Sequence, residues 1–431
     1  MAIRIKNTRL CSSFFVMFLL LNVILYLYYD NDMSEKLTEF TEQCDETKYS
    51  PSNEHEEAIN RKFCGKSECK FLFTYLQPEQ ETKANMHFRS FVKLAKALNR
   101  TMVLTNVGNS RINACQKFTF GFYYNVKALQ KMFPDVKFIT QKDFQCWSKK
   151  RRIKPNTEHV KILPGGKIQS MKLVTPYPDL LKTKSCLNRF GFKMDDQTVF
   201  KQFYTGQKSL ESIKKQTKFS EFLINNLKTD VEILLTTHLV YYPLFSNISK
   251  PIPYSNHNFE EASKIINRIK PYVAIHWRME RAILDKLPEC AEALVKKLQK
   301  IKESQGIQNV YLATDYPITG GTTQSQTFHL LTEKHHKAIN LLNSTFNIHT
   351  WSSSKIFANL RNDEMIEKEF SGAGIPGIVD KLVCMDADYF LATPEGCGRA
   401  QSTYTTMIVN EREKSIELGV KPQLKNIVER W

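Results

Sequence analysis

The stretch Tyr272-Val-Ala-Ile-His-Trp277, followed by Arg278-Met-Glu-Arg281, decides how this chain folds. Pro271 marks its start, and Val273, Ile275 and Trp277 alternate, which predicts a short buried strand. After a loop, Ala291, Leu294, Val295 and Leu298 fall at i, i+3, i+4 and i+7, the spacing of one helix face. A second strand, Asn309-Val-Tyr-Leu-Ala-Thr314, ends in Asp315. Strand, helix and strand make one βαβ unit, and open α/β sheets bind ligands at the carboxyl ends of their strands. His276, Arg278, Glu280 and Asp315 sit at or near those ends. An arginine there can fork onto a phosphate with two parallel hydrogen bonds. The plainer alternative is a surface ion pair between Arg278 and Glu280 beside a merely buried His276.

The same alternation extends in both directions. From about Phe259 it gives a helix, the strand 272–277, a helix 290–303, the strand 309–314, a helix 329–342 and a strand 346–351. A helix from Gly377 to about Ala387, a strand Tyr389–Thr393 and a helix from Ser402 complete it. Such alternation means a parallel sheet covered on both faces. Upstream, Phe71–Tyr75 reads as a strand, Gln77–Asn85 as a loop, and Phe88, Phe91, Val92 and Ala95 as one helix face before a strand Thr101–Leu104. Phe219–Leu235 reads as one or two helices, and Tyr241-Tyr-Pro243 as a turn joining two domains. The basic run Lys149–Lys154 reads as a solvated loop, or as a contact for anionic lipid or an acidic acceptor. His329, His335 and His336 read as histidines of a solvated helix face.

A length of 431 residues allows about two domains plus appendages. The 61 basic and 44 acidic side chains leave a net charge of +17, which suits nucleic acid, membrane headgroups or sugar nucleotides. Topology chooses among them. Residues 10–29 form an uncharged apolar run, and twenty residues of helix cover about 30 Å, the hydrocarbon thickness of a bilayer. Arg4, Lys6 and Arg9 precede it and Asp30, Asp32 and Glu35 follow, so the positive-inside rule places the body in the lumen. A nucleic-acid partner is excluded on that topology. Residues 1–9 are then a cytosolic tail, 10–29 a signal anchor, and the polar, acidic stretch 30–62 a stem. Two body domains follow, 63–255 and 256–431. A cleaved signal is the competing reading, but Tyr26-Leu-Tyr-Tyr-Asp30 lacks the small residues of a cleavage site. Apart from Cys11, nine cysteines spread along the chain fit an oxidising compartment, with Cys64 and Cys69 the best local pair.

Two clusters carry a family likeness. An apolar strand ending in His276-x-Arg278, then a loop, Cys290, a helix and a strand ending in Ala313-Thr314-Asp315 resembles the donor half of GDP-fucose-dependent fucosyltransferases. The likeness is greatest to the protein O-fucosyltransferase-like superfamily and its divergent fungal-type members. Ala387-Asp-Tyr-Phe390, then Ser402-Thr-Tyr-Thr405 and Glu411-Arg412, matches that family's Ala-Asp-x-Phe strand and its Ser-Ser-Phe-Thr helix start. A helix N-terminus with free N–H groups and hydroxyls is in any case a site for a phosphate, although Ser402 as a simple cap is compatible. In the amino half, Leu98-Asn-Arg-Thr101 closes a helix as the family does, with His87-Phe88 kept. The family's catalytic Gly-Arg-Phe-Gly-Asn-Gln turn precedes that helix, and its Asn falls on Lys83, two residues before Asn85.

The resemblance implies a GT-B fold, two Rossmann-like domains facing across a cleft behind the N-terminal transmembrane anchor. It implies transfer of fucose from GDP-fucose, with inversion, to a hydroxyl of a protein or glycan acceptor. His276, Arg278, Asp315, Ser402, Thr403 and Tyr404 would bind the donor, and Arg278, Glu280 and Asn85 would be catalytic. Glu79 or Glu81 would face the acceptor. No cofactor is expected. Asp386-Ala-Asp388 is the alternative, since Asp-x-Asp holds a divalent cation in other transferases. A non-catalytic lumenal lectin or receptor of the same fold, or a transferase for another nucleotide sugar, is the competing function. The expected location is the Golgi or endoplasmic reticulum membrane, single-pass type II. In sealed microsomes the body should resist added protease and the N-terminus should stay intact. A mature chain starting near Asp30 would replace the anchor by a cleaved signal.

Overall fold

The computed structural model describes residues 56–431 apart from 168–169, 175–186, 188–197, 207–211, 241, 246–249, 319–327, 329, 355–363 and 400–401, and the side chains of 425–430. The tail, the 10–29 anchor and most of the stem lie outside the described residues, as do Cys44, Cys186, Tyr241 and His329. Among the described residues no helix is long and apolar enough to cross a membrane.

The amino half contributes β1 Phe71–Leu76, β2 Thr101–Leu104, the short ladder of β3 Val107–Gly108 and β4 Arg111–Ile112, β5 Phe138–Thr140, β6 Thr157–Leu163, β7 Ser170–Leu173, β8 Val199–Tyr204 and β9 Ile233–His238. Seven of these form one sheet in the order β5-β2-β1-β9-β6-β8-β7. All its pairs are parallel except the edge pair of β7 with β8. The carboxyl half contributes β10 Tyr272–Trp277, β11 Asn309–Thr314, β12 Ile348–His349, β13 Tyr389–Ala392 and β14 Lys425–Arg430. They form a wholly parallel sheet in the order β12-β11-β10-β13-β14. The fold is thus α/β with two sheets.

All six residues of β10 are buried. Val273, Ile275 and Trp277 join Leu287, Ala291, Leu294 and Leu298 of the helix Leu287–Gln305. Tyr272 and Ala274 face the other way, toward Ile378, Val379 and Leu382 of the helix Ile375–Asp386. The alternation therefore separates two covered faces rather than core from solvent, as in any strand at the centre of a parallel sheet. Leu287–Gln305 ends at Gly306, whose φ of 70° suits the left-handed cap that glycine adopts without strain.

Several expectations need correction. Phe219–Leu235 is a helix, Ile213–Leu227, followed by the central strand β9. The loop Gln77–Asn85 stops early, because the helix Glu81–Ala97 begins at Glu81. Lys149–Lys154 is not a solvated loop throughout. Its first two residues end the helix Gln141–Lys150, and buried Arg151 pairs with Glu56 and Glu232. His335 is buried and closes a capping box with Thr332. Cys64 and Cys69 are bonded as expected, Cys290 is bonded to Cys397, and buried Cys384 is free.

The halves meet through buried charge. Lys381, from the helix Ile375–Asp386, pairs with Glu81 at the start of the helix Glu81–Ala97, with side chains 1% and 5% exposed. The hydroxyls of Tyr124 and Tyr254 donate to the same carboxylate, at 2.9 and 3.0 Å. A second crossing joins Glu369 to the Tyr123 hydroxyl and to the Asn109 N–H, the latter at 2.8 Å. Removing one partner of a buried pair leaves the other charge uncompensated. Lys381→Met should therefore cost about 3–5 kcal/mol. Denaturant unfolding checks this, and a loss below about 1 kcal/mol would mean that water reaches Glu81.

Candidate active site

Parallel strands bring their carboxyl ends to one edge, and there a cavity of about 340 Å³ opens between the halves. Register fixes the wall. His276 lies beside Ala313 of β11 and Ala392 of β13, so the residues after β10 emerge at the level where its neighbours end. The chain then turns through Met279–Arg281, and Asp315 holds that turn. Its two oxygens accept from the N–H groups of Met279 and Glu280, at 2.8 and 3.2 Å. Burial pushes the Asp315 carboxyl up to about 6, against the pull of those N–H groups and Arg278.

Arg278 donates from Nη2 to Glu280 at 3.0 Å, and Arg399 donates from Nη1 to the other oxygen at 2.8 Å. The Glu280 side chain is fully buried between them. His276 shares a hydrogen bond with Thr405 Oγ1 at 2.8 Å and stacks on Tyr404 at 4.6 Å. Burial first, then Arg278 and Lys381, drive its pKa down to about 3, so the ring is neutral. Tyr404 donates to the Gly377 carbonyl at 2.9 Å, and Lys381 lies 5.0 Å over its ring. Ser402 precedes the helix Thr403–Glu417 without making a side-chain cap. Its buried hydroxyl has no hydrogen-bond partner. Ser402 and Thr403, at the helix N-terminus, line the cavity, a setting that suits an anion.

His276, Arg278, Asp315, Ser402, Thr403 and Tyr404 are thus brought to one cavity wall. Glu280 stands behind that wall. Asn85 is not brought there. It is buried with its amide bonded to both the carbonyl and the N–H of Ile252, at 3.3 and 3.2 Å. Lys83 lines the cavity instead, 3.4 Å from Glu79. The Asp-x-Asp pair lies at the opposite end of β13. Asp388 accepts from the Tyr272 N–H at 2.9 Å, and Asp386 pairs with Lys270 and Lys421. Among the described residues no group of three His, Cys, Asp or Glu side chains is placed to hold a metal ion.

Sequence reading missed Asp380 and Arg399, both on the cavity wall. Asp380 accepts from the Tyr311 hydroxyl at 2.5 Å, and burial pushes its carboxyl up to about 7. The signal was available in the pair Asp380-Lys381 amid the apolar run Ile375-Pro-Gly-Ile-Val and Leu382-Val-Cys. Charges inside a buried helix call for partners.

The profile of the GDP-fucose protein O-fucosyltransferase family matches residues 83–413. The chain belongs to that family. Fucosyl transfer is the class of reaction this membership carries. No curated protein matches the chain. Among solved structures it is similar to POFUT1 in complex with GDP-fucose, at 14% identity, over 80% of this chain and 94% of that one, with a TM-score of 0.46. It is also similar to the fucosyltransferase NodZ from Bradyrhizobium, at 10% identity, over 79% and 92%, with a TM-score of 0.39.

Proposed function

We propose that the chain is a GT-B transferase moving fucose from GDP-fucose to a hydroxyl of a protein or glycan, with inversion and without a metal. The observation that carries the reading is the juxtaposition of Arg278 with the free Ser402 hydroxyl at a helix N-terminus, beside Asp380 on the same wall. The first two suit a diphosphate and the third suits a base. Guanine presents N1–H and an amino group side by side, and one ionised carboxylate accepts from both. Gly377 leaves open space beside Asp380, since a Cβ there would meet nothing within 4 Å.

In this reading the Arg278 guanidinium stabilises charge gathering on the departing diphosphate. Glu280 aims Arg278, and Asp315 fixes the turn that carries both. Of the cavity carboxylates, Glu81 is occupied by Lys381 and two tyrosines, and Asp315 by backbone N–H groups. Glu79 remains, with its side chain 36% exposed, and we assign it to take the acceptor proton, oriented by Lys83. The location we propose is the Golgi or endoplasmic reticulum membrane, with the body lumenal.

The first test is GDP release by the full chain from a panel of nucleotide sugars, in EDTA. GDP-fucose should be turned over. Arg278→Ala and Arg278→Lys should both lose about a hundred- to a thousand-fold in turnover, because lysine cannot reproduce the planar fork. Ser402→Ala, removing one neutral hydroxyl, should cost about 1 kcal/mol. With acceptor present, Glu79→Gln should slow transfer and spare donor binding. No release from GDP-fucose by the folded wild type would favour the lectin reading, and rescue only by Mn²⁺ would restore a metal.

A pH dependence follows from Asp380. Below about pH 7 its carboxyl is largely protonated in the empty site and accepts only poorly from guanine. The KM for GDP-fucose should therefore fall as pH rises through about 7 and level off above it. Asp380→Asn should remove the step centred near 7 and raise KM, leaving only what Asp315 contributes near 6. The donor's diphosphate diester has no group titrating in this range. A wild-type KM without a step near pH 7, or one that Asp380→Asn leaves in place, would remove Asp380 from base recognition.

A further inference from the structure

Arg399 reaches the cavity on a connection built to hold it. Leaving β13, the chain folds back along the end of β10. The N–H of Thr393 donates to the His276 carbonyl at 3.2 Å, and the Trp277 indole donates to the Cys397 carbonyl at 2.8 Å. The Ile283 N–H donates to the Gly396 carbonyl at 2.8 Å, and the Arg399 N–H to the Arg278 carbonyl at 2.9 Å. The disulfide from Cys290 to Cys397 ties this connection to the helix behind the sheet. Gly398 has no room for a side chain, since a Cβ would stand 2.2 Å from the Arg278 carbonyl oxygen. The backbones of Arg278 and Arg399 are therefore fixed against each other, and their side chains leave for the same carboxylate.

That carboxylate needs only one of them. Glu280 carries one negative charge and meets two guanidiniums, so it balances only one of the two, and Asp315 pulls on Arg278 from the other side of the turn. The guanidiniums face the cavity: Glu280 is fully buried, while Arg278 and Arg399 are 17% and 25% exposed and line it. Each guanidinium has five N–H groups, and a single bond to Glu280 leaves most of them to donate elsewhere. Ser402, on the same cavity wall, adds a buried hydroxyl without a partner.

We propose that Arg399 is a second diphosphate-binding residue, gripping the phosphate oxygens together with Arg278. The proposal rests on the GDP-sugar reading given above. In the reaction the bond from the anomeric carbon to the phosphate oxygen breaks as a bond to the acceptor oxygen forms. The electron pair stays on the phosphate oxygen, and the acceptor proton passes to Glu79. The leaving GDP gains one negative charge, and the Arg278 and Arg399 guanidiniums meet it.

Calorimetry of the full chain with GDP, GMP and guanosine tests this. Arg399→Gln should weaken GDP by about tenfold or more and leave guanosine unchanged, with GMP between them. Arg399→Lys, which keeps the charge and loses the fork, should fall between wild type and Arg399→Gln for GDP alone. If Arg399 only neutralises Glu280, GDP and guanosine will weaken together or not at all, and the proposal fails. Should Arg399→Gln not fold, as judged by its melt, Arg399→Lys decides on the same criterion. Wild type that binds GDP no better than guanosine would overturn the GDP-sugar reading itself, and the proposal with it.

Discussion

Glu81 and Lys381 bury a negative and a positive charge between the two sheets, and neither could stay there without the other. The hydroxyls of Tyr124 and Tyr254 complete the carboxylate's bonding, and the Thr82 hydroxyl accepts from the ammonium at 2.9 Å. The pair binds more than itself. Lys381 lies over the Tyr404 ring, which stacks on His276 at the end of β10. Glu81 opens the helix whose first turn carries Lys83. The β10 wall and the facing wall therefore share one buried centre. A site fixed in this way before substrate arrives need not reorganise its dipoles during reaction, which is where electrostatic catalysis gains most.

How much of this the sequence disclosed depended on whether the signal was local. β10, β11 and the helix between them were legible because strand alternation and helical spacing are written in neighbouring residues. β9 was not. Ile233-Leu-Leu-Thr-Thr-His238 follows a helix closely, and its identity comes from pairing with β1 and β6 across long stretches of chain. The site divided in the same way. His276, Arg278 and Ser402 stand at the ends of strong elements, so topology placed them. Asn85 was misplaced because the helix begins at Glu81, which puts it a turn inside. Two residues along a helix from Lys83 rotate a side chain by about 200°, so the two cannot face the same way. Arg399 gave no local signal, since its place is set by a disulfide and a carbonyl far off in sequence.

Three carboxylates of the cavity lining and one just behind it show how environment assigns roles to a single chemical group. Glu280 is fully buried between two guanidiniums and serves to aim them. Asp315 accepts backbone N–H groups and shapes a turn. Asp380, held by one tyrosine hydroxyl, is pushed by burial to about 7, where ligand donors can tip it. Glu79 keeps contact with solvent beside Lys83. Residue type alone would have treated the four alike; only their partners distinguish them.

Lys83 then takes on a specific meaning. By the resemblance, it falls where the family turn carries an amide, which can donate and accept but brings no charge. A lysine at this position faces Glu79, four residues earlier and just before the helix, and its own side chain is only 10% exposed. A partly buried ammonium needs a carboxylate nearby, and Glu79 provides one at the mouth of the cavity. In the proposed reading, the lysine thus comes with an acid at the place where the acceptor hydroxyl arrives. In that reading the departure replaces a hydrogen-bonding group by an ion pair, and the acceptor meets that pair at the cavity mouth.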